Sequence, residues 1–295
     1  MNIEAAAALL ETDPDYRVLR RLDVGLIPVT PPENQGGGTV RRAVFLDTET
    51  TGTDVLRDEV IELAMVAFDY DPTSGAVHKV YEAEAFNRFR DPGRPIPPDA
   101  TRVNNITDEM VAGKTISDAD VESFLDGVGL VIAHSASFDR PMVEKTWGIF
   151  QGLNWACSIE DMDWKNRGFG SNSLEYLLMK QGFFFEGHRA KIDCLAGIAL
   201  LASTLPTGEP ALAALLASAR KERTLVHAVN SPFETKDILR ARGYRWDPGD
   251  RVWWTLTEDL EGEQAWLSDH VYGGSLPSMP LTPVRANNRF SQRVG

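Results

Sequence analysis

Ala43 to Gly52, read as AVFLDTETTG, constrains this chain more than any other stretch. Four apolar residues, Ala43 to Leu46, follow a Gly-rich segment, which predicts a strand buried on both faces. Asp47 ends the run and Glu49 follows two positions on. Residues two apart in an extended chain point the same way, so such a strand delivers two carboxylates side by side. Like charges that close repel and are costly to desolvate. A hard divalent cation, magnesium or manganese, relieves both costs through oxygen ligands. A strand running into a polar turn can also read Asp-x-Glu, so the reading needs further acids in the right places.

The remaining pattern predicts an α/β fold, a mixed sheet flanked by helices. Residues 2 to 22 read as two short helical pieces interrupted by Pro14, and Pro28 to Thr39 as a linker. Val60 to Phe68 and Val77 to Phe86 read as strands joined by a turn carrying Asp71, Pro72, Ser74 and Gly75. Arg88 to Ala100 reads as loop. Helices are expected from Thr107, over Ile116 to Phe124 with Ser117 as N-cap, and over Phe138 to Phe150. Strands are expected at Leu130 to Ala133 and Asn154 to Cys157, and helices at Ser173 to Gln181 and Lys191 to Leu205.

Two later patches carry the acids that the first needs. The fourth strand runs into His134-Ser-Ala-Ser-Phe-Asp139-Arg-Pro. Asp139 thus falls at a strand-to-helix junction, where a helix N-cap is the competing role. The other patch is Gly187-His188-Arg-Ala-Lys-Ile-Asp193-Cys. His188 and Asp193 are five apart and cannot stack on one face of a regular helix. They converge if His188 lies on the entering loop and Asp193 in the first turn.

The ordered set Asp-x-Glu, Asp, His-x4-Asp in this context resembles the DEDDh, or DnaQ-like, 3'–5' exonucleases. DTETTG, HSASFDRP and GHRAKIDC carry the three motifs, and Ile96 to Met110 is similar to the connecting segment. The resemblance covers roughly Arg42 to Leu205. Ser135 stands where Asn is usual and Ser158 where Thr is common. The resemblance implies a ribonuclease-H-like fold and a two-metal hydrolysis of phosphodiesters at a free 3' end, with two Mg2+ or Mn2+ ions. It implies Asp47 bridging both ions, Glu49 and Asp193 completing one site, Asp139 supporting the other, and His188 as general base. Thr50, Thr51 and Gly52 are candidates for holding the terminal nucleotide. DNA is the expected substrate, single-stranded favoured, with nucleoside monophosphates released. Short RNA, or a role as a nucleic-acid-binding polymerase accessory, is the alternative. A DNA polymerase or repair complex is the expected partner.

The expected organisation is an N-terminal helical segment and linker (1–41), the exonuclease domain (42–207), a connecting helix (208–221), a small β-α-β-β-α module (222–275) and a flexible tail (276–295). In the module Lys236, Arg240, Arg242, Arg245 and Arg251 interleave with Tyr244, Trp246, Trp253 and Trp254. Of these, Arg242, Arg245, Trp246 and Trp254 are the candidate single-strand contacts; a small aromatic core with a solvated basic face is the plainer reading. The net charge of −13 argues against a broad nucleic-acid-coating surface. Two distant cysteines make no disulfide framework or zinc spacing, and an acidic N-terminus without a basic flank is no secretory signal. A cytoplasmic location is expected.

Overall fold

The computed structural model describes residues 2–31 and 39–294, so most of the expected 28–39 linker lies outside the described residues. The chain divides into two compact units, Met1–Ala219 and Arg220–Gly295, each described by itself.

The larger unit begins with α1 (Ile3–Glu11), whose N-cap Asn2 accepts the Ala5 N–H. Among the described residues no second helix precedes residue 22. Instead β1 (Arg20–Arg21) pairs in parallel with residues 183–184, which gives this polar stretch backbone partners that a short helix after Pro14 would lack. Next come β2 (Arg41–Thr50), β3 (Val60–Tyr70), β4 (Val77–Val80) and β5 (Phe86–Phe89). The single strand expected over 77–86 is thus two strands. A turn closed by the Ala85 N–H on the Glu82 carbonyl separates them, placing the acidic Glu82 and Glu84 outside the sheet. Then follow α2 (Pro98–Asn104), α3 (Asp108–Val111), α4 (Asp118–Leu125), β6 (Val128–Ala133), α5 (Ala136–Glu144) and β7 (Trp155–Cys157). Ser117 caps α4, accepting the Asp120 N–H. α5 stops six residues short of the expected Phe150, before a Thr-Trp-Gly run of weak helix formers. The unit closes with α6 (Leu174–Lys180), β8 (Phe183–Phe184), α7 (Ala190–Ala202) and α8 (Ala211–Ala219).

The main sheet has the order β4-β3-β2-β6-β7, with β5 also on β3. β2 is antiparallel to β3 and parallel to β6, so the sheet is mixed. Ala43, Val44, Phe45 and Leu46 are all inaccessible to solvent. A strand covered on both faces needs such a continuous apolar run. On one face Ala43 and Phe45 join Cys194, Ile198 and Leu200 of α7 in the main core. Gly197 of α7 sits against the Phe45 ring; a Cβ there would lie 2.5 Å or less from three ring carbons. The missing side chain is what lets α7 lie that close to β2. Helix α8, expected to be a connector, packs Ala211, Leu212, Leu215 and Leu216 into this same core. Its Ala/Leu content is the signature of burial, not of a solvated spacer.

The smaller unit consists of β9 (Arg223–Ala228), α9 (Lys236–Arg242), β10 (Arg245–Asp247), β11 (Val252–Thr257), α10 (Leu260–His270) and β12 (Leu281–Val284). Its antiparallel sheet has the order β10-β11-β9-β12. Val226, Ala228, Leu239, Tyr244 and Leu267 form its core. The flexible tail expected from residue 276 is in fact partly strand. β12 pairs with β9, and Pro283 is tolerated because β12 is an edge strand, whose outer side needs no N–H donor. Among the described residues no helix is long and apolar enough to cross a membrane.

Candidate active site

β2 continues through the two acids, held by an antiparallel register with β3 that ends at a bulge between Glu49 and Thr50. Asp47 and Glu49 therefore point to the face that carries Phe45 and α7. On α7, Asp193 lies four residues before Gly197, on the same side of the helix. The Phe45–Asp47 step along the strand is matched by the Gly197–Asp193 step along the helix, which brings the acids together. One ligand oxygen from each of Asp47, Glu49 and Asp193 lies within 4.8 Å of the others.

Asp139 arrives from the other direction. It lies in the first turn of α5, 3% exposed, and is not the N-cap, which is Ser135. Thr48, between the two strand acids, faces the opposite side of β2 and donates its hydroxyl to Asp139 Oδ1 at 2.7 Å. Asp139 is thereby fixed beside Asp47, close enough that its charge is the largest neighbouring influence on the Asp47 carboxyl after burial. His188 lies on the exposed loop before α7 with φ +63°, and its charge acts favourably on the Asp193 carboxylate. Asp47, Glu49 and Asp193 thus meet, with Asp139 in electrostatic reach of Asp47 and His188 of Asp193.

Burial holds these carboxyls protonated well above their ordinary range, and mutual repulsion adds to it at Asp47 and Glu49. Asp47 is pushed well up by burial, then by Asp139, Asp193 and Glu49. Glu49 is raised to about 8 by burial, then by Asp193 and Glu62. Asp139 is raised to about 7 by burial, offset by the Thr48 hydrogen bonds. Asp193 is raised to about 6 by burial, offset by the Arg189 N–H. Four acids that cannot all ionise side by side suit a divalent cation, which replaces their protons. This yields a stability prediction. The cation-free folded state binds more protons than the unfolded chain wherever folded values exceed ordinary ones, so stability falls as pH rises through that interval. The contribution is fully present below about pH 4 and lost as pH passes the raised values of about 6, 7 and 8. With chelator present, the melting temperature of the wild type should drop from pH 5 to pH 8 more than that of Asp47→Asn. Manganese should raise it more at pH 8 than at pH 5. Parallel pH curves for the two proteins would contradict the electrostatic picture.

The turn residues fit their expected role less well. Thr51 is 2% exposed, donates to Asp58 Oδ1 at 2.9 Å and accepts the Glu59 N–H, while its own N–H goes to the Glu59 carbonyl. It builds the turn and has no face free for a nucleotide. Thr50 donates to the Gly52 carbonyl. A Cβ on Gly52 would come within 2.9 Å of three Asp58 carboxyl atoms, so this glycine is a packing requirement. Arg94 and Lys145 close the same network onto Asp58 and the carbonyls of residues 55, 57 and 58.

In the smaller unit the four candidate contacts do not share a surface. Arg242 is tied to Glu263 at 3.0 Å and lies over Trp266. Trp246 pairs across the strands with Trp253, on the face from which Trp253 packs against the core, but is itself exposed. Arg245 and Trp254 are directly opposed on the other face, with His227 next in register and the guanidinium 5.5 Å from the indole centroid.

Sequence reasoning overlooked Thr48, Glu62 and Arg189. The alternation of β2 signalled the first, since an acid–Thr–acid triplet on a strand must send the Thr to the opposite face.

The chain is 38% identical over 96 residues to DNA polymerase III subunit epsilon of Treponema pallidum, covering 32% of this chain and 40% of that one. It is 33% identical over 157 residues to the PolC-type DNA polymerase III of Listeria innocua, covering 51% of this chain and 10% of that one. The matches thus span well under two thirds of these relatives. Among solved structures, Exonuclease X in complex with 5' overhanging duplex DNA is 25% identical, with a TM-score of 0.41, covering 58% of this chain and 99% of that one. The RNase T exonuclease family matches residues 44–201, more than half of the chain and inclusive of Asp47, Glu49, Asp139, His188 and Asp193. The chain therefore belongs to the RNase T exonuclease family, in its DEDDh, DnaQ-like branch.

Proposed function

We propose that this protein is a metal-dependent 3'–5' exonuclease that hydrolyses phosphodiester bonds at the 3' end of DNA and releases nucleoside monophosphates. The observation that carries the reading is the meeting of Asp47, Glu49 and Asp193 within 4.8 Å, with Asp139 fixed beside them by Thr48. Two divalent ions, Mg2+ or Mn2+, supply charge neutralisation at the scissile phosphate and activation of the attacking water when bound. Asp47, Glu49 and Asp193 would hold one of them, and Asp139 would support the second. His188, exposed and beside Asp193, takes the proton of the attacking water, a role that suits an imidazole near neutral pH. The polymerase relatives support a place in proofreading or repair, beside a DNA polymerase or repair complex. The two buried free thiols, Cys157 and Cys194, fit a reducing cytoplasm.

The test is digestion of 3'-labelled and 5'-labelled DNA and RNA with Mg2+, Mn2+ or chelator. The expected result is immediate release of labelled mononucleotide from the 3' end of DNA only when a cation is present. Release from the 5' end first, or digestion indifferent to chelator, would overturn the reading. RNA cut faster than DNA would move the substrate to short RNA.

The smaller unit extends this proposal to single strands. Arg245, Trp254 and His227 offer a cation and an aromatic face side by side, the combination that takes a phosphate and a stacked base. Arg242 and Trp246 have no part in it. Trp254→Ala and Arg245→Glu should each raise KM for a single-stranded substrate by about tenfold, roughly one stacked base or one phosphate contact. kcat should stay unchanged. An unaltered KM would remove the module from substrate binding.

A further inference from the structure

We propose that Arg189 and Glu62 form a positioning pair that clamps the His188 loop over the acid cluster, an inference that rests on the exonuclease reading. Glu62 is 1% exposed on β3. In the sheet it lies between Glu49 of β2 and Phe89 of β5, its two register partners. Its Oε2 is buried without a hydrogen-bond partner, and its Oε1 lies 3.4 Å from the Arg189 guanidinium. A carboxylate that deep needs a countercharge. Among the described residues Arg189 is the one cation paired with it.

Arg189 is fastened at three points. Its backbone N–H donates to Asp193 Oδ2 at 3.0 Å. Its guanidinium reaches Glu62 and sits 5.8 Å from the centroid of the Phe89 ring. It therefore spans the row Glu49–Glu62–Phe89 and ties the entry of α7 to the strands that carry the acids. The residue immediately before it is His188, whose left-handed φ of +63° a non-glycine residue keeps only where its surroundings enforce it. The side chain of His188 is exposed, and among the described residues no hydrogen bond holds it. The clamp on Arg189 thus sets where the imidazole stands. A general base works only from a fixed position near the proton it takes. Arg189 also brings positive charge to Glu49, offsetting part of the repulsion there.

The experiment compares wild type with Arg189→Ala, Arg189→Lys, Glu62→Gln and the double variant Arg189→Ala/Glu62→Gln, with His188→Ala as the floor. Hydrolysis of 3'-labelled DNA is measured at saturating manganese. Manganese affinity is read independently from the free-ion paramagnetic resonance signal, and loop order from amide exchange over residues 187–190. Arg189→Ala should lower kcat about tenfold or more, with KM and manganese affinity within about threefold, a loss confined to the chemical step. Exchange at 187–190 should rise, Arg189→Lys should recover part of kcat, and the double variant should be no worse than the poorer single one. Should Arg189→Ala not fold, Glu62→Gln, which keeps the side-chain volume, carries the same expectation. A folded Arg189→Ala with kcat within about twofold overturns the proposal. So does a raised KM at constant kcat, which would make Arg189 a direct substrate contact, or a parallel loss of manganese affinity. A wild type without cation-dependent hydrolysis sinks the exonuclease reading itself, and is told apart because the variants then have nothing to lose.

Discussion

Asp47→Ala and Asp139→Ala should each cut hydrolysis by roughly 10³-fold or more, the scale of a lost electrostatic catalyst and about 4 kcal/mol of barrier. Both should remain folded. Asp47 sits where burial and four neighbouring carboxylates oppose its charge, so removing it relieves repulsion in the cation-free protein. The melting temperature at pH 8 without cations should therefore hold or rise while activity collapses. That opposition separates a functional acid from a structural one. A structural carboxylate takes stability away when it is lost; these oppose the fold, as the proposed cation site requires. Asp139→Ala differs in one respect, because it leaves the Thr48 hydroxyl without its acceptor. Thr48→Val should reproduce part of that loss. Activity within about tenfold of wild type in either folded aspartate variant would remove the acid cluster from the chemistry.

Gly197→Ala should be the most damaging conservative change in the fold. Alanine gains about 1 kcal/mol over glycine in a helix interior. Here its Cβ would fall 2.5 Å or less from three carbons of Phe45, a ring with no solvent exposure and no room to swing. Overpacking of that kind costs about 1–3 kcal/mol, sometimes more, and outweighs the propensity gain. A net loss of about 2 kcal/mol corresponds to a fall in Tm of roughly 4–8 °C in a unit of this size. Activity should suffer beyond stability, because the helix that must back away is the one carrying Asp193 four residues earlier. Phe45→Leu in the Gly197→Ala background should recover part of both. An unchanged or raised Tm for Gly197→Ala would show that α7 and β2 are not in the contact described.

The acids and the histidine were legible because chemistry forces their types and the elements around them force their phases. Asp47 and Glu49 show themselves as an alternating pair at the end of an apolar run. Asp193 shows itself as a first-turn acid after a loop histidine. The turn residues Thr50 and Thr51 misled for the opposite reason. A Thr-Thr-Gly turn looks the same whether its hydroxyls face a ligand or, as here, tie back to Gly52 and Asp58. The basic and aromatic residues near 242–254 were likewise readable as a set but not as a surface, since strand register sends Trp246 and Trp254 to opposite faces. The tail past residue 276 carried too little hydrophobic pattern to announce an edge strand.

Local chemistry thus determined which acids and which histidine this protein offers to the candidate site, and on which kind of element each one lies. Such information is carried by neighbours in the chain, through alternation, capping and apolar runs. Only the tertiary structure decided that Thr48 would hold Asp139, that Gly197 would let Asp193 descend to Asp47, and that Arg189 would reach Glu62 across the sheet. Those are contacts between residues 91, 152 and 127 positions apart. They depend on which face of a strand meets which face of a helix, and that is settled by packing the whole core at once.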